Sequence, residues 1–195
     1  MRAVVVLAHP DPQSFGHAVA EAACAALRAS GHDPVLHDLY AEGFRATMSA
    51  AEHHAYHGEQ PVLDPLVRRH VDDVLAAEAL VLVYPTWVST VPAILKGWLE
   101  RVMVPGVGFE FSRSGRVVPG LTHVRHLVGI STYSARRRDV WVSNDNGRRT
   151  LTRALRMSTG LRTRSRWLAL YSIDATTPDE RAAFLRRVHD ELGRL

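Results

Sequence analysis

The chain has 195 residues, 46% of them hydrophobic, one cysteine and a formal net charge of +4. That length suits a single domain over 1–195 with a sizeable core, and lone Cys24 excludes an internal disulfide or a cysteine-based metal site. The start is not patterned as a signal peptide, and no stretch reaches the roughly 18 apolar residues of a membrane span; with the lone cysteine, this places the expected location in a reducing cytoplasm.

The positive charge is nearly all arginine, Lys96 being the sole lysine, and it reads first as a solvated surface. Short apolar runs at 2–8, 34–39, 79–84, 126–131 and 166–172 read as strands. All but the second are so continuously apolar that they predict burial on both faces, as in a parallel sheet. Helical spacing falls between and after them, at about 15–30, 66–77, 91–103, 147–158 and 178–193. Ser14 is a candidate cap for the first helix and Gly31 its stop; Thr177-Pro178-Asp179-Glu180 has the form of a capping box with proline at the first helical position. The stretch 40–65, rich in histidine, is the least regular. Strand and helix alternation predicts right-handed crossovers and helices on both faces of the sheet.

In such folds ligands lie beyond the carboxyl ends of the strands. The first such loop, His9-Pro10-Asp11-Pro12-Gln13-Ser14-Phe15-Gly16, contains neither a dinucleotide fingerprint nor a phosphate loop with lysine. Its helix N-terminus, the His9 ring, the Ser14 hydroxyl and the bare Gly16 backbone suit an anion; a plain helix cap is an equal reading. In "YPTWVSTVPAILKGWLERV" (84–102), Pro85 stops the strand, and Ile94, Leu95, Trp98, Leu99 and Val102 recur at helical spacing. Trp98 reads as core or subunit interface; Trp87 reads as a ligand contact or as a cap on the core. His53 and His54 are adjacent and face different ways, so no metal site is expected.

"AHPDPQSF" together with "YPTWVSTVPAILKGWLERVMVPGVGFEF" resembles the flavodoxin-like NAD(P)H dehydrogenase (quinone) family. That family includes DT-diaphorase-type and drug-activity-modulator-type enzymes and the ancillary flavoproteins of potassium efflux systems. The resemblance runs from residue 1 to about 130, more weakly to 172. It implies a five-stranded parallel sheet of order 2-1-3-4-5, a bound FMN or FAD, NAD(P)H as reductant, and hydride transfer to a quinone-type acceptor by a ping-pong mechanism.

Carried over residue by residue, it places His9, Ser14, Phe15 and Gly16 at the flavin phosphate and Pro85, Thr86, Trp87 and Val88 at the ring. Thr132, Tyr133 and Ser134 lie at its polar edge, with Tyr133 or Asn144 handling a proton. Asparagine is frequent in the family where Gly16 stands, and an aromatic where Val88 or Ser89 stands. The family's third loop carries two glycines that this chain lacks. Phe109 and Phe111 fall where a partner subunit supplies aromatics to the substrate, implying a homodimer; without the family they read as hydrophobic anchors. The arginines at 136–166 suit a flavin or NADPH phosphate, or a solvated or intersubunit face; nucleic acid is the poorest fit, because no stacking aromatics alternate with them. A regulatory flavoprotein of a membrane transport system is the alternative function, since it shares these motifs. A one-electron carrier fits less well, because such carriers tend to be acidic.

Overall fold

The computed structural model describes residues 1–58, 60–160 and 162–195. Its main sheet contains β1 (Arg2–Leu7), β2 (Asp33–Asp38), β3 (Ala79–Pro85), β6 (His126–Thr132) and β7 (Arg164–Leu170) in the order β2-β1-β3-β6-β7. All four neighbouring pairs are parallel, so every carboxyl end lies on one edge. This is the strand order that the resemblance implies. The short β4 (Phe109–Phe111) and β5 (Val117–Pro119) form a separate antiparallel hairpin.

Period-two alternation divides the core. Val4, Val6, Leu80 and Leu82 pack with α3 (Pro65–Ala76), α4 (Ala93–Val102) and Leu151 and Leu155 of a later helix. Ala3, Val5, Val81 and Val83 pack on the other side with α1 (Phe15–Ala29) and α8 (Pro178–Leu192). β3 is buried at every residue, as its apolar run predicts. β7 corrects the expectation of burial on both faces: it is an edge strand in which only Leu168 is fully buried.

The region 40–65 contains α2 (Ala50–Ala55), absent from the sequence expectations, with a complete capping box between Ser49 and Glu52. Arg101 holds this region to α4. Its Nε donates to Glu52 Oε1 at 2.9 Å, Nη2 to Asp64 Oδ2 at 2.8 Å and Nη1 to the Arg45 carbonyl at 2.6 Å. Gly97 lets the two backbones meet, because a Cβ there would lie 2.0 Å from the Ala46 carbonyl oxygen.

The helix expected at 147–158 is a composite. α6 (Asn146–Arg149) runs into a π-helical turn (Thr150–Leu155) and then α7 (Arg156–Thr159), so an extra residue widens its middle. Before it lies α5 (Arg137–Val142), which the sequence expectations lacked. The capping box of Thr177 and Glu180 is present on α8.

Candidate active site

The loops after β1, β3 and β6 share the carboxyl edge of the sheet. In the first, the Asp11 N–H donates to His9 Nδ1 at 3.1 Å, which leaves the proton of the neutral ring on Nε2. Burial lowers the His9 pKa, which favours the neutral ring. The Asp11 carbonyl and carboxylate accept from the Ser14 and Gln13 amides, which tightens the turn. Beyond it the amides of Phe15 and Gly16, at the start of the 15-residue α1, have no acceptor among the described residues. A Cβ built on Gly16 would lie 3.5 Å from Ser14 Oγ and 3.6 Å from His9 Cβ, inside the hollow between those side chains.

Two expectations for this loop change. Ser14 occupies the N-cap position, but its hydroxyl makes no capping bond. It turns instead to His17 Nδ1 at 3.0 Å, while His17 Nε2 meets Asp38 Oδ2, also at 3.0 Å. The Asp38 carboxylate can only accept, so His17 Nε2 is the donor in that bond. The Phe15 side chain points away from the hollow, its ring 6.2 Å from that of Phe184, so that only its amide serves the loop. His17 and Asp38 were not among the sequence candidates; the Ser14-to-His17 spacing of three, one helical turn, was the available signal.

In the second loop, Pro85 ends β3 in register with Thr132, and the Thr86 N–H donates to the Thr132 carbonyl at 2.8 Å. The Thr86 hydroxyl lies 2.8 Å from that of Ser131. Trp87 and Thr90 bond to each other through their backbones around Val88 and Ser89, which have φ of 48° and 59°. Two successive positive φ values make this a type I′ turn, costly for β-branched valine. Val88 is 96% exposed at its tip, and the half-exposed Trp87 ring lies 6.2 Å from His9, centroid to centroid, joining the first two loops.

In the third loop the Tyr133 amide is already used, donating to the Leu170 carbonyl. The Ser134 and Ala135 amides, by contrast, have no acceptor among the described residues. The loop therefore offers two backbone donors without the glycines of the family pattern. The Tyr133 ring is 2% exposed, stacks on Tyr171 at 4.8 Å and donates its hydroxyl to Asp145 Oδ1 at 3.0 Å. Burial, with the Asp145 carboxylate adding to it, raises the phenol pKa well above its ordinary value. Tyr133 therefore stays protonated near neutral pH, and its bond to Asp145 ties the third loop to the start of α6. The other proton candidate, Asn144, is exposed with φ of 73° and donates through Nδ2 to Asn146. A cavity of about 280 Å³ opens between the second and third loops, lined by Thr86, Val88, Ser89, Tyr133, Ser134 and Asp145 among others.

Phe109 and Phe111 stand on the β4–β5 hairpin, their rings 5.7 Å apart and T-shaped. Among the described residues, their ring contacts are with each other and with His57, not with the three loops. Trp98 is core, fully buried, as the first of its two readings has it.

Histidines do gather elsewhere, where sequence spacing gave no sign. His37 and His70 stack at 3.8 Å, and Glu42 reaches His37 Nδ1 at 3.2 Å and His70 Nε2 at 2.6 Å. These three have the composition of a metal site. However, Trp98 Nε1 donates to His70 Nδ1 at 2.8 Å, so the proton of His70 must stay on Nε2, the atom that would bind metal. The cluster is a hydrogen-bonded core network. Burial lowers the His70 pKa, and the neighbouring His37 lowers it further.

The sequence model for the flavodoxin-like fold matches residues 1–184. The chain belongs to the flavodoxin-like family. Among curated proteins of this kind, NAD(P)H dehydrogenase [quinone] 1 of Rattus norvegicus is 34% identical over 126 residues, covering 57% of this chain and 46% of that protein. The chain thus aligns to about half the length of the curated relatives it matches. Smu.1420 from Streptococcus mutans superposes with a TM-score of 0.87 at 25% identity, covering 100% of both chains. An FMN-dependent NADH-azoreductase from Bacillus anthracis, solved in complex with FMN, gives 0.76 at 16% identity, covering 99% of this chain and 98% of that one. In this flavodoxin-like chain the three loops thus stand at the ligand edge of the fold.

Proposed function

We propose that the chain is a flavin-dependent NAD(P)H:acceptor oxidoreductase that binds FMN or FAD at the three loops and reduces a quinone-type acceptor. One observation carries this reading: the Phe15 and Gly16 amides are without an acceptor among the described residues, beside a space between the Ser14 and His9 side chains that a Gly16 Cβ would enter. These donors suit a phosphate, and the bare backbone suits close approach. The rat quinone dehydrogenase and the FMN-bound azoreductase support the same cofactor class.

When bound, the flavin supplies hydride acceptance from NAD(P)H and donation to the acceptor, in two half-reactions that share one place. The chain's own residues bind and orient. Ser14 steadies His17 and the loop, while the Phe15 and Gly16 amides and the His9 N–H meet the phosphate. Trp87 and the Val88–Ser89 turn flank the ring, and the Ser134 and Ala135 amides offer donors where negative charge develops on its polar edge. Thr86, Thr132 and Pro85 fix the distance between the second and third loops. The Tyr133–Asp145 bond holds the third loop's shape. Phe109 and Phe111 would reach an acceptor across a homodimer, a reading favoured by ring contacts made with each other and with His57. A cytoplasmic location is part of the same reading.

The test is to reconstitute purified protein with FMN and with FAD. Flavin absorption bands retained after gel filtration are expected, with mass spectrometry of the released cofactor separating FMN from FAD. Protein that elutes colourless from both would refute the assignment, and a monomer by light scattering would refute the dimer.

A further inference from the structure

Beside the small cavity lies a larger one of about 480 Å³, and the two share Val140 and Asp145 in their walls. The larger wall carries Arg137, Arg148, Arg149 and Arg153 with the rings of Trp141 and Tyr171. None of these arginines has a carboxylate within ion-pair reach among the described residues, although Arg2, Arg69, Arg125 and Arg166 each have one and Arg101 has two. The one carboxylate in the lining, Asp145, accepts at Oδ1 from the Tyr133 hydroxyl and the Arg148 backbone N–H. Four guanidinium groups that share one carboxylate repel one another, and one negative charge cannot balance them.

The aromatic walls add a second feature. Tyr171 lines the larger cavity and stacks on the buried Tyr133, which borders the smaller one, so the two spaces abut one aromatic pair. Trp141, 82% exposed, also lines the larger cavity. The π-helical turn carrying Arg153 widens the helix where it forms the wall, and such turns often accompany functional sites.

We propose that this cavity is an oxyanion site, receiving the phosphate, sulfonate or carboxylate end of a planar substrate whose other end lies at the three loops. The assignment rests on the oxidoreductase reading and names the substrate class that reading leaves open. Guanidinium groups bind such oxyanions through paired N–H donors, and the aromatic walls stack on a flat body. Two substrates carry this chemistry: the 2′-phosphate of NADPH, or an acidic group on the acceptor.

Calorimetric titration of the flavin-loaded protein separates them, using 2′,5′-ADP against 5′-AMP and anthraquinone-2-sulfonate against 2-(hydroxymethyl)anthraquinone. The more anionic member of at least one pair should bind about tenfold tighter or more at low salt, a preference weakened as ionic strength rises. The first pair assigns the site to the reductant, the second to the acceptor. R149Q/R153Q should abolish the preference, and R194Q, outside the cavity, should keep it. Should the double variant lose its circular dichroism spectrum, R153Q alone is read, with a partial loss expected. No preference in either pair, or one that survives the substitutions, overturns the proposal. Repeating the titration without flavin distinguishes the two failures: an anion preference in protein that takes up no flavin would refute the oxidoreductase reading and leave the oxyanion site.

Discussion

Arg101 is enclosed by Glu52, Asp64 and the Arg45 carbonyl, whereas Arg137, Arg148, Arg149 and Arg153 share a cavity with a single carboxylate. The first region spends its charges on structure. Arg101 holds the Asp64 carboxyl below its ordinary range, and at Glu52, where burial alone would raise the pKa, the Ser49 amide and Arg101 bring it down. The second region leaves its guanidinium groups uncommitted at the ligand edge of the sheet. The same residue type thus serves as a fastener in one place and as an available donor in the other, and the number of carboxylates in reach decides which.

The largest expected effect lies in the first region. Arg101→Met leaves the buried Glu52 without its cation, while the half-buried Asp64 keeps only Arg45 at 3.4 Å, and breaking a buried pair in this way costs about 3–5 kcal/mol. Urea unfolding should register most of that loss; a change below about 1 kcal/mol would mean that Arg101 is dispensable there. At the ligand edge, Gly16→Val places a side chain in the hollow beside His9 without a backbone clash, since a Cβ meets only ordinary contacts. Flavin affinity by fluorescence titration should fall about tenfold or more with the fold intact. Undiminished affinity would remove the phosphate from that hollow.

Acid should weaken the core network before it affects the arginine cavity. The folded pKa of His70 lies below the ordinary 6.5, so the unfolded chain binds more protons once pH drops under that value. The stability from keeping His70 neutral is therefore complete above pH 6.5 and is lost as pH falls toward the lower folded value. At Glu42 burial opposes ionisation, but the His70 hydrogen bond and His37 bring its pKa below 4.5, so a second loss begins under that pH. Unfolding free energies measured between pH 7.5 and 4 should decline monotonically, and a flat profile above about pH 5 would contradict the His70 assignment. The smallest effect belongs to the second loop. Replacing Val88-Ser89 by Asn-Gly suits two positive φ values and should stabilise the protein by about 1 kcal/mol, read as a rise in Tm. A fall in Tm would show that the valine turn is held by contacts rather than tolerated as strain.

Where continuous apolar sequence and chain order suffice, the sequence reading and the structure agree. The five strands, the long helices and the strand order follow from runs such as "VVVLA" and "ALVLVY" and from the resemblance. Elements too short or too polar for periodicity were missed. β4 and β5 have three residues each, and α2 is mostly alanine, histidine and glutamate despite its visible Ser49–Glu52 capping pattern. At the site, the loops were found because their positions follow from strand ends. The side-chain directions were not: the Ser14 hydroxyl faces His17, Phe15 faces Phe184, and Tyr133 is turned inward to Asp145. Those directions depend on residues distant in the chain, such as Asp38 and Tyr171, as does the meeting of His37 with His70.

The bond from Trp98 to His70 also supplies an internal clock for the whole core. An indole proton that is fully buried and donated to an imidazole nitrogen exchanges with deuterium only when the surrounding structure opens. Its resonance, distinct from those of the more exposed Trp87 and Trp141, would decay at the rate of global opening while the ligand-edge loops breathe far faster.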